Sequence, residues 1–251
     1  MDKIRLLDRL ELSSALEDHF QSQLSPLFGK ACGNGIGNFI EIGSAEASLP
    51  ERIGRKTLLA GSDWLLASQN AQCSYPLKMT SLTPVLAYAC DWDVGDRVVF
   101  SNCHTSANGL ITQTTSSSTG FSFSDTELLG ESGILVSQRG FIWYLAKGKN
   151  DNAFWRTPSL KGNSLELWSG INKLSIYPFL DLDGSGALDA LANEYGLYPL
   201  SQLKGLWVEL MVRQVPCSYQ KEGQTEEYFN HRGDVWQYNA RCEYPLSFVI
   251  D

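Results

Sequence analysis

Residues 181–189 carry the clearest chemical signal in the chain and read DLDGSGALD. Side-chain oxygens stand at positions 1, 3, 5 and 9 of this segment, with a glycine at position 6, which is the spacing of an EF-hand calcium loop. The predicted ligands are the side chains of Asp181, Asp183, Ser185 and Asp189 and the main-chain carbonyl of Ala187. Because Ca²⁺ prefers hard oxygen donors, the segment predicts a structural calcium site.

One ligand of the EF-hand pattern is missing. Position 12, where a bidentate glutamate belongs, is Ala192, and the next acidic residue is Glu194, which we take as a candidate substitute. Without the glutamate the expected affinity falls in the weak range, with a Kd of ~10⁻⁴ to 10⁻³ M. The alternative is an acidic Gly/Ser turn that binds no specific ion. A strand-like segment, residues 176–180, precedes the loop, which argues against a paired EF-hand.

No other group of residues forms a recognisable catalytic set. Asp91, Asp93 and Asp96 are interpreted as a hairpin turn rather than a second metal site, because a glycine precedes Asp96. The three histidines fall in no motif that would make one of them a base, and the chain has no G-x-S-x-G, H-E-x-x-H or Walker sequence. We predict that the protein is not an enzyme. The histidines are His19, His104 and His231.

Four tryptophans are candidates for a carbohydrate-binding face, although aromatic residues at strand positions are more often core or cross-strand partners. They are Trp143, Trp155, Trp168 and Trp207.

The six cysteines indicate an oxidising compartment. None forms a C-x-x-C pair, so a zinc ribbon or thioredoxin-like site is not predicted. Six cysteines allow about fifteen pairings, and the sequence does not choose among them. Free buried cysteines in a cytosolic protein are the alternative. The cysteines are Cys32, Cys73, Cys90, Cys103, Cys217 and Cys242.

Charge and hydropathy exclude further classes of protein. With 20 Lys+Arg against 28 Asp+Glu the net charge is −8, so no surface is predicted to neutralise nucleic-acid phosphates. A hydrophobic share of 43% is enough for a sizeable core, which excludes intrinsic disorder. The sequence contains no run of the ~18 apolar residues that would span a bilayer, and no secretory signal at its start.

The elements that would position the loop are one helix and many strands. Leucines and a phenylalanine recur every three or four residues in the first 28 positions, which predicts an amphipathic helix (Leu12, Leu16, Phe20, Leu24 and Leu27). Strands are predicted over residues 97–100, 206–213 and 244–250, and the strict alternation at 206–213 indicates a half-buried strand. Residues 134–145 are predicted to form two strands, or one strand with a bulge, around Gly140. Residues 113–124 are predicted to be an exposed edge strand or a flexible loop. The predicted fold class is α+β, with an amphipathic helix (residues 1–30) packed on a large antiparallel β domain (residues 31–251).

Four stretches in this order resemble the PilW family of type IV minor pilins and, more distantly, the GspJ pseudopilin of type II secretion. RLELSSAL at residues 9–16 resembles the family's amphipathic helix. VGDRVVFSNC at 94–103 resembles its Gly-Asp, strand and cysteine element. SLELWSGI at 164–171 and the acidic loop with the strand that follows it resemble two further family segments.

The resemblance implies a pilin-like fold and a structural, non-catalytic subunit that initiates pilus assembly or forms the tip complex. Its implied partners are other minor pilins, the major pilin or a tip adhesin. Its implied location is the periplasm and bacterial cell surface. Prepilins begin with an apolar anchor in the inner membrane, so we expect further residues before Asp2. The disulfide we expect first is Cys217–Cys242, which would close a polar loop, and Cys73–Cys90 is next. A secreted adhesin or carbohydrate-binding module remains the alternative function.

Overall fold

The computed structural model describes residues 2–24, 39–68, 74–87, 92–102, 105–137, 140–159, 162–199, 202–214 and 224–251. Within these ranges the chain forms one α-helix, one 3₁₀ helix (Thr126–Leu128) and eighteen β-strands. In chain order the α-helix and the strands are α1 (Asp2–Leu24), β1 (Phe39–Ser44), β2 (Asp63–Ser68), β3 (Ser74–Lys78), β4 (Val85–Leu86), β5 (Arg97–Ser101), β6 (Ser106–Thr114), β7 (Thr119–Phe123), β8 (Ser132–Ser137), β9 (Gly140–Lys147), β10 (Asn152–Pro158), β11 (Leu165–Ser169), β12 (Ile171–Leu180), β13 (Ala190–Leu191), β14 (Gly196–Pro199), β15 (Leu203–Arg213), β16 (Thr225–Phe229), β17 (Val235–Asn239) and β18 (Glu243–Ile250).

The strands pair antiparallel in four sheets. The central sheet has the order β11-β10-β9-β2-β1-β14, and the flanking sheet has the order β3-β8-β5-β6-β7-β4. The C-terminal sheet has the order β13-β12-β15-β18, and β16 and β17 form a separate hairpin.

The central sheet is buried on both faces, and its sequence explains why. Successive side chains of a strand point to opposite faces, so β2 places Leu65 on one side and Trp64 and Leu66 on the other. Leu65 joins a core shared with the C-terminal sheet, including Ile176 of β12. Trp64 and Leu66 join a second core with Val99 of the flanking sheet. The sheets therefore stack in three layers with the central sheet between the other two.

Helix α1 inserts one narrow stripe of side chains into the first of these cores. Leu16, Phe20 and Leu24 are buried there. The Phe20 ring stacks on Phe154 of β10 with the ring centroids 4.3 Å apart, and meets Phe248 of β18 edge-on at 5.5 Å. The i, i+4 spacing predicted from the sequence therefore does form the buried face of the helix.

The α+β, pilin-like fold class predicted from the sequence is wrong. The described residues fold into eighteen antiparallel strands and a single α-helix, so the protein is mainly β. The physical reason is that the sheets bury one another: most of the described core lies between layers of strands, and the helix side chains described as buried there are Leu16, Phe20 and Leu24. The sequence showed the helix clearly because its period is regular over many residues, and this overstated its share of the fold. The predicted boundary near residue 30 lies outside the described residues.

Several strands fall where the sequence predicted them. β5, β18 and the pair β8 and β9 match the segments predicted at 97–100, 244–250 and 134–145. Residues 113–124 differ from the prediction: β7 lies between β6 and β4, and Phe121 is buried. Serine and threonine are abundant here and favour exposure, but half of them lie in the turn between β6 and β7, and the apolar side chains of β7 reach the core.

β15 contains the predicted strand at 206–213 but is not half-buried. Leu206, Val208 and Leu210 face the main core, while Glu209 and Met211 on the opposite face are also buried. The reason is the β16–β17 hairpin, whose Tyr228 hydroxyl reaches Glu209 and covers that face.

Candidate metal site

The acidic loop connects two strands of the C-terminal sheet. β12 ends at Leu180 immediately before Asp181, and the two residues of β13 pair back onto Phe179 and Leu180. The Asp189 N–H donates to the Leu180 carbonyl at 2.8 Å, which closes the loop at its base. A β-hairpin therefore holds the loop, whereas an EF-hand uses two helices.

Three of the predicted ligands come together. One carboxylate oxygen from each of Asp181, Asp183 and Asp189 lies within 4.8 Å of the others. Asp181 is buried, and the other two aspartates are exposed. Among the described residues, this is the group of carboxylates placed closely enough to hold a metal ion.

Backbone N–H groups hold these carboxylates in place. Asp189 Oδ2 accepts from the N–H of Leu182 at 2.6 Å and of Asp183 at 3.2 Å. Asp183 Oδ1 accepts from the Ser185 N–H at 2.9 Å. The hydroxyl of Ser185 accepts from the Ala187 N–H at 3.2 Å. The loop is thus preorganised by Asx-type turns built from its own sequence.

Gly186, the glycine at position 6, has φ +88°, a backbone conformation that residues with a Cβ rarely adopt. This conformation lets its N–H donate to Asp181 Oδ2 at 2.9 Å. The tight turn that the sequence predicted is therefore present and is joined to the buried carboxylate.

Asp181 is the anchor of the cluster. Its side chain is 2% exposed, and Oδ2 forms an ion pair with Lys204 Nζ at 2.9 Å. The hydrogen bond from Lys204, aided by the Gly186 N–H, lowers the pKa of Asp181 below its ordinary value, although burial opposes the shift. Asp181 is therefore ionised in the neutral range.

The second carboxylate oxygen of Asp181 is unsatisfied. Oδ1 is buried and has no hydrogen-bond partner. An unpaired buried acceptor is costly, and in native proteins such an atom commonly marks a bound water or ion. A divalent cation held by the three carboxylates of Asp181, Asp183 and Asp189 would supply the charge that this buried acceptor lacks.

The remaining predicted ligands are placed differently. Ser185 and Ala187 lie in the loop, and both are exposed. Ala192, at position 12, donates its N–H to the Pro178 carbonyl and packs against the core. Glu194 is exposed and lies outside the acidic cluster. β13 pairs with β12 and returns the chain along the C-terminal sheet. Ala192 and Glu194 therefore do not lie where the last ligand of an EF-hand loop would be.

A second polar cluster, which sequence reasoning missed, lies at the start of β2. Asp63 is 2% exposed and pairs with Arg232 at 3.2 Å. It also accepts from the Ile176 N–H at 2.8 Å and from the Tyr195 hydroxyl at 2.9 Å. The Arg232 guanidinium lies 4.7 Å from the ring centre of Tyr177 and 4.3 Å from that of Tyr195. We call these five residues the buried clasp.

Burial is the main influence on the pKa of Asp63. It raises the pKa from 3.8 to about 6, although Arg232 and the hydrogen bonds act in the opposite direction. The clasp joins the turn after β16 to the central and C-terminal sheets. The sequence signal that could have identified it is an aspartate directly before an apolar strand, DWLLA at residues 63–67.

The same turn carries one of the histidines. The main-chain N–H of His231 donates to Glu209 Oε2 at 3.0 Å, and the Tyr228 hydroxyl donates to Oε1 at 2.9 Å. His19 lies in α1, where burial lowers its pKa, and His104 lies outside the described residues. No described histidine is brought to the acidic cluster, and the non-enzymatic function stays a prediction.

The remaining aspartates and tryptophans considered in the sequence lie in a turn, in the packed interior or beside a groove. In the turn before β5 the Asp93 N–H donates to Asp96 Oδ2 at 3.1 Å, as expected of a turn, and Asp91 lies outside the described residues. Trp143 is buried in the core shared with the C-terminal sheet, and Trp168 packs against that core. Trp155 packs against the second core, between the central and flanking sheets. Trp207 is half-buried and lines an open groove.

Cys242 is buried and disulfide-bonded. The other cysteines, Cys32, Cys73, Cys90, Cys103 and Cys217, lie outside the described residues. The pairings Cys217–Cys242 and Cys73–Cys90 therefore stay predictions.

No protein-family model, curated protein or solved structure matches this chain. Among the described residues, no helix combines the length and apolar character needed to cross a membrane.

Proposed function

We propose that this chain is a minor pilin, a non-catalytic structural subunit that initiates assembly of a type IV pilus or forms its tip complex. The observation that carries the proposal is the attachment of α1. Leu16, Phe20 and Leu24 fix one face of the helix in the core, while Glu17 and Asp18 on another face are exposed. A helix attached in this way would link the β layers rigidly to a neighbouring subunit that packs on its exposed face.

The proposed partners are other minor pilins, the major pilin or a tip adhesin. The proposed location is the periplasm and cell surface, with the full-length form anchored in the inner membrane before assembly. A role as a pseudopilin of type II secretion uses the same helix and differs in its partners. The disulfide at Cys242 suits an oxidising compartment.

The proposal assigns Ca²⁺ to the acidic loop as a structural ion. Three carboxylates and the unsatisfied Asp181 Oδ1 support a divalent cation. Ca²⁺ takes six to eight oxygen ligands, so main-chain carbonyls or waters would complete the shell. With only three acidic ligands the affinity is expected at a Kd of ~10⁻⁴ to 10⁻³ M, a range typical of extracellular modules.

Deletion of the gene in the source organism tests the pilus role. We expect loss or strong reduction of surface pili by electron microscopy, restored by the wild-type gene. A photo-crosslinking amino acid at Glu17 should capture a subunit that mass spectrometry identifies as a prepilin. The same amino acid at Lys149, in the turn between β9 and β10, is the matched control. Normal piliation and secretion in the deletion strain would contradict the proposal.

An aromatic groove favours a second candidate function, a secreted binding module. Phe229 is 64% exposed and lines the groove with Phe179 and Trp207, whose rings meet edge-on with centroids 6.5 Å apart. Exposed aromatic rings of this kind offer apolar contact area beside a polar edge, which a sugar ring could cover. A glycan screen with wild type and Trp207→Ala tests this function, and equal binding by both proteins argues against it.

A further inference from the structure

Lys204 is the only cation that the structure shows paired with the acidic cluster of the described residues. Its Nζ lies 2.9 Å from Asp181 Oδ2, which is also the oxygen that accepts from the Gly186 N–H. The three carboxylates and this ammonium give the cluster a net charge of −2. A positive charge therefore already sits beside the buried carboxylate.

The two partners differ in their freedom to move. The Asp181 side chain is 2% exposed, while that of Lys204 is 41% exposed. The two main-chain segments that carry Asp181 and Lys204 are held together. The Asp181 N–H donates to the Gln202 carbonyl at 2.8 Å, and Leu180 pairs with Leu203. A lysine side chain can rotate into solvent at small cost, so Lys204 is the partner able to leave.

A divalent cation and the Lys204 ammonium compete for Asp181. A cation held by the Asp181 carboxylate at about 2.4 Å lies well within one Debye length of Lys204 Nζ, so the two positive charges repel each other. Binding through both oxygens of Asp181 also needs Oδ2, which Lys204 occupies. Release of Lys204 removes the repulsion and opens the second oxygen.

We infer that Lys204 is a built-in competitor at the acidic loop: its side chain neutralises Asp181 in the calcium-free protein and leaves when a divalent cation binds. This inference rests on the proposed calcium site and adds how its affinity is set. Lys204 keeps the affinity low and gives the calcium-free loop a defined partner. The loop then responds to calcium at extracellular concentrations without losing its order at lower ones.

Calorimetric titration with CaCl₂ at fixed ionic strength, on the disulfide-intact protein, tests the inference. Lys204→Met is expected to bind calcium roughly fivefold more tightly than wild type, because a partly exposed ion pair is removed. Lys204→Arg keeps the charge and should bind no more tightly than wild type. Lys149→Met, in a turn of the central sheet, removes an exposed lysine elsewhere and should match wild type.

NMR of the lysine side chains gives a second measurement. The Lys204 ammonium signal should shift or broaden on addition of calcium, while that of Lys149 should not. Lys204→Gln replaces Lys204→Met if circular dichroism shows that the methionine variant is misfolded.

The outcomes distinguish the role of Lys204 from the existence of the calcium site. Equal or weaker binding by Lys204→Met, with calcium binding intact in wild type, would overturn the role of Lys204 and leave the calcium site standing. No binding by any protein up to about 20 mM calcium, well above the expected Kd, would overturn both. Neither result bears on the pilus role, which the deletion strain tests.

Discussion

Two of the aspartates that the structure shows paired with a cation, Asp63 and Asp181, have pKa values shifted in opposite directions. Asp63 pairs with Arg232 at 3.2 Å and has a pKa raised to about 6. Asp181 pairs with Lys204 at 2.9 Å and has a lowered pKa. Both side chains are 2% exposed, so exposed area alone does not explain the difference.

The difference lies in what surrounds each aspartate. Asp63 lies between sheets, where burial outweighs an arginine and several hydrogen bonds. Asp181 lies at the start of an exposed loop, where the hydrogen bond from Lys204 and the loop N–H groups outweigh burial. The buried clasp therefore suits a permanent joint between layers, whereas the acidic loop suits a site where one cation can replace another.

The largest expected effect comes from breaking the buried clasp. Arg232→Met leaves the Asp63 charge buried without its partner, which should lower the free energy of unfolding by about 3–5 kcal/mol. Urea denaturation at pH 8 with the disulfides intact measures the loss. The loss should be smaller at pH 5, where Asp63 can take up a proton instead. An equally large loss in Lys204→Met would show that the two pairs do not differ as described.

The second effect is the pH dependence of stability. Because the pKa of Asp63 is raised from 3.8 to about 6, the folded state binds more protons than the unfolded state between these values. Its contribution is therefore complete below about pH 4 and is lost as the pH rises through about 6, with a total of ~3 kcal/mol. Denaturation from pH 3.5 to 7 should show this slope in wild type.

Asp63→Asn removes the titrating group and is the control for this slope. The variant should be less stable overall because Arg232 is left unpaired, but its stability should lack the Asp63 component between pH 4 and 6. A slope identical to wild type would show that another group is responsible.

A smaller effect is expected in the turn of the acidic loop. Gly186→Ala places a Cβ at φ +88° with nothing within 4 Å of it, so the cost is backbone strain alone, about 1–2 kcal/mol. Gly54→Ala is a matched control in a turn without positive φ, where the new Cβ meets only ordinary contacts. Calorimetric melting of both variants without calcium measures the difference, and equal costs would argue against strain at Gly186.

The smallest change in stability is expected from Lys204→Met without calcium. Lys204 is partly exposed, so loss of its ion pair should change the free energy of unfolding by little more than the experimental error. With calcium the variant should gain more stability than wild type, because its site binds more tightly. A gain no larger than that of wild type would show that Lys204 does not set the calcium affinity of the loop.

The acidic loop was predictable to the extent that its chemistry is local. Asp181, Asp183 and Asp189 come together because nine consecutive residues form one turn, and Gly186 has the conformation its position requires. Glu194 lies outside the acidic cluster because β13 pairs with β12 and leads the chain away from the loop. The sequence does not show that β13 turns back along β12.

The strands were predictable from their alternation, but their burial was not. The pattern of β15 identifies a strand, whereas the cover over Glu209 comes from a hairpin that begins more than ten residues after β15 ends. The predicted fold class was wrong for a related reason. Periodicity in the sequence indicates which helices and strands form, whereas tertiary packing decides which of them make the core.

The sequence by itself determined the oxygen donors of the loop, the turn that gathers them and the apolar stripe of α1, because each depends on neighbours within a few residues. Only the tertiary structure decided that Lys204 sits on Asp181, that Arg232 meets Asp63 across 169 positions, and that sheets rather than the helix build the core. Partners far apart in the chain meet through strand order and layer packing, and these depend on the whole set of competing contacts rather than on any one segment.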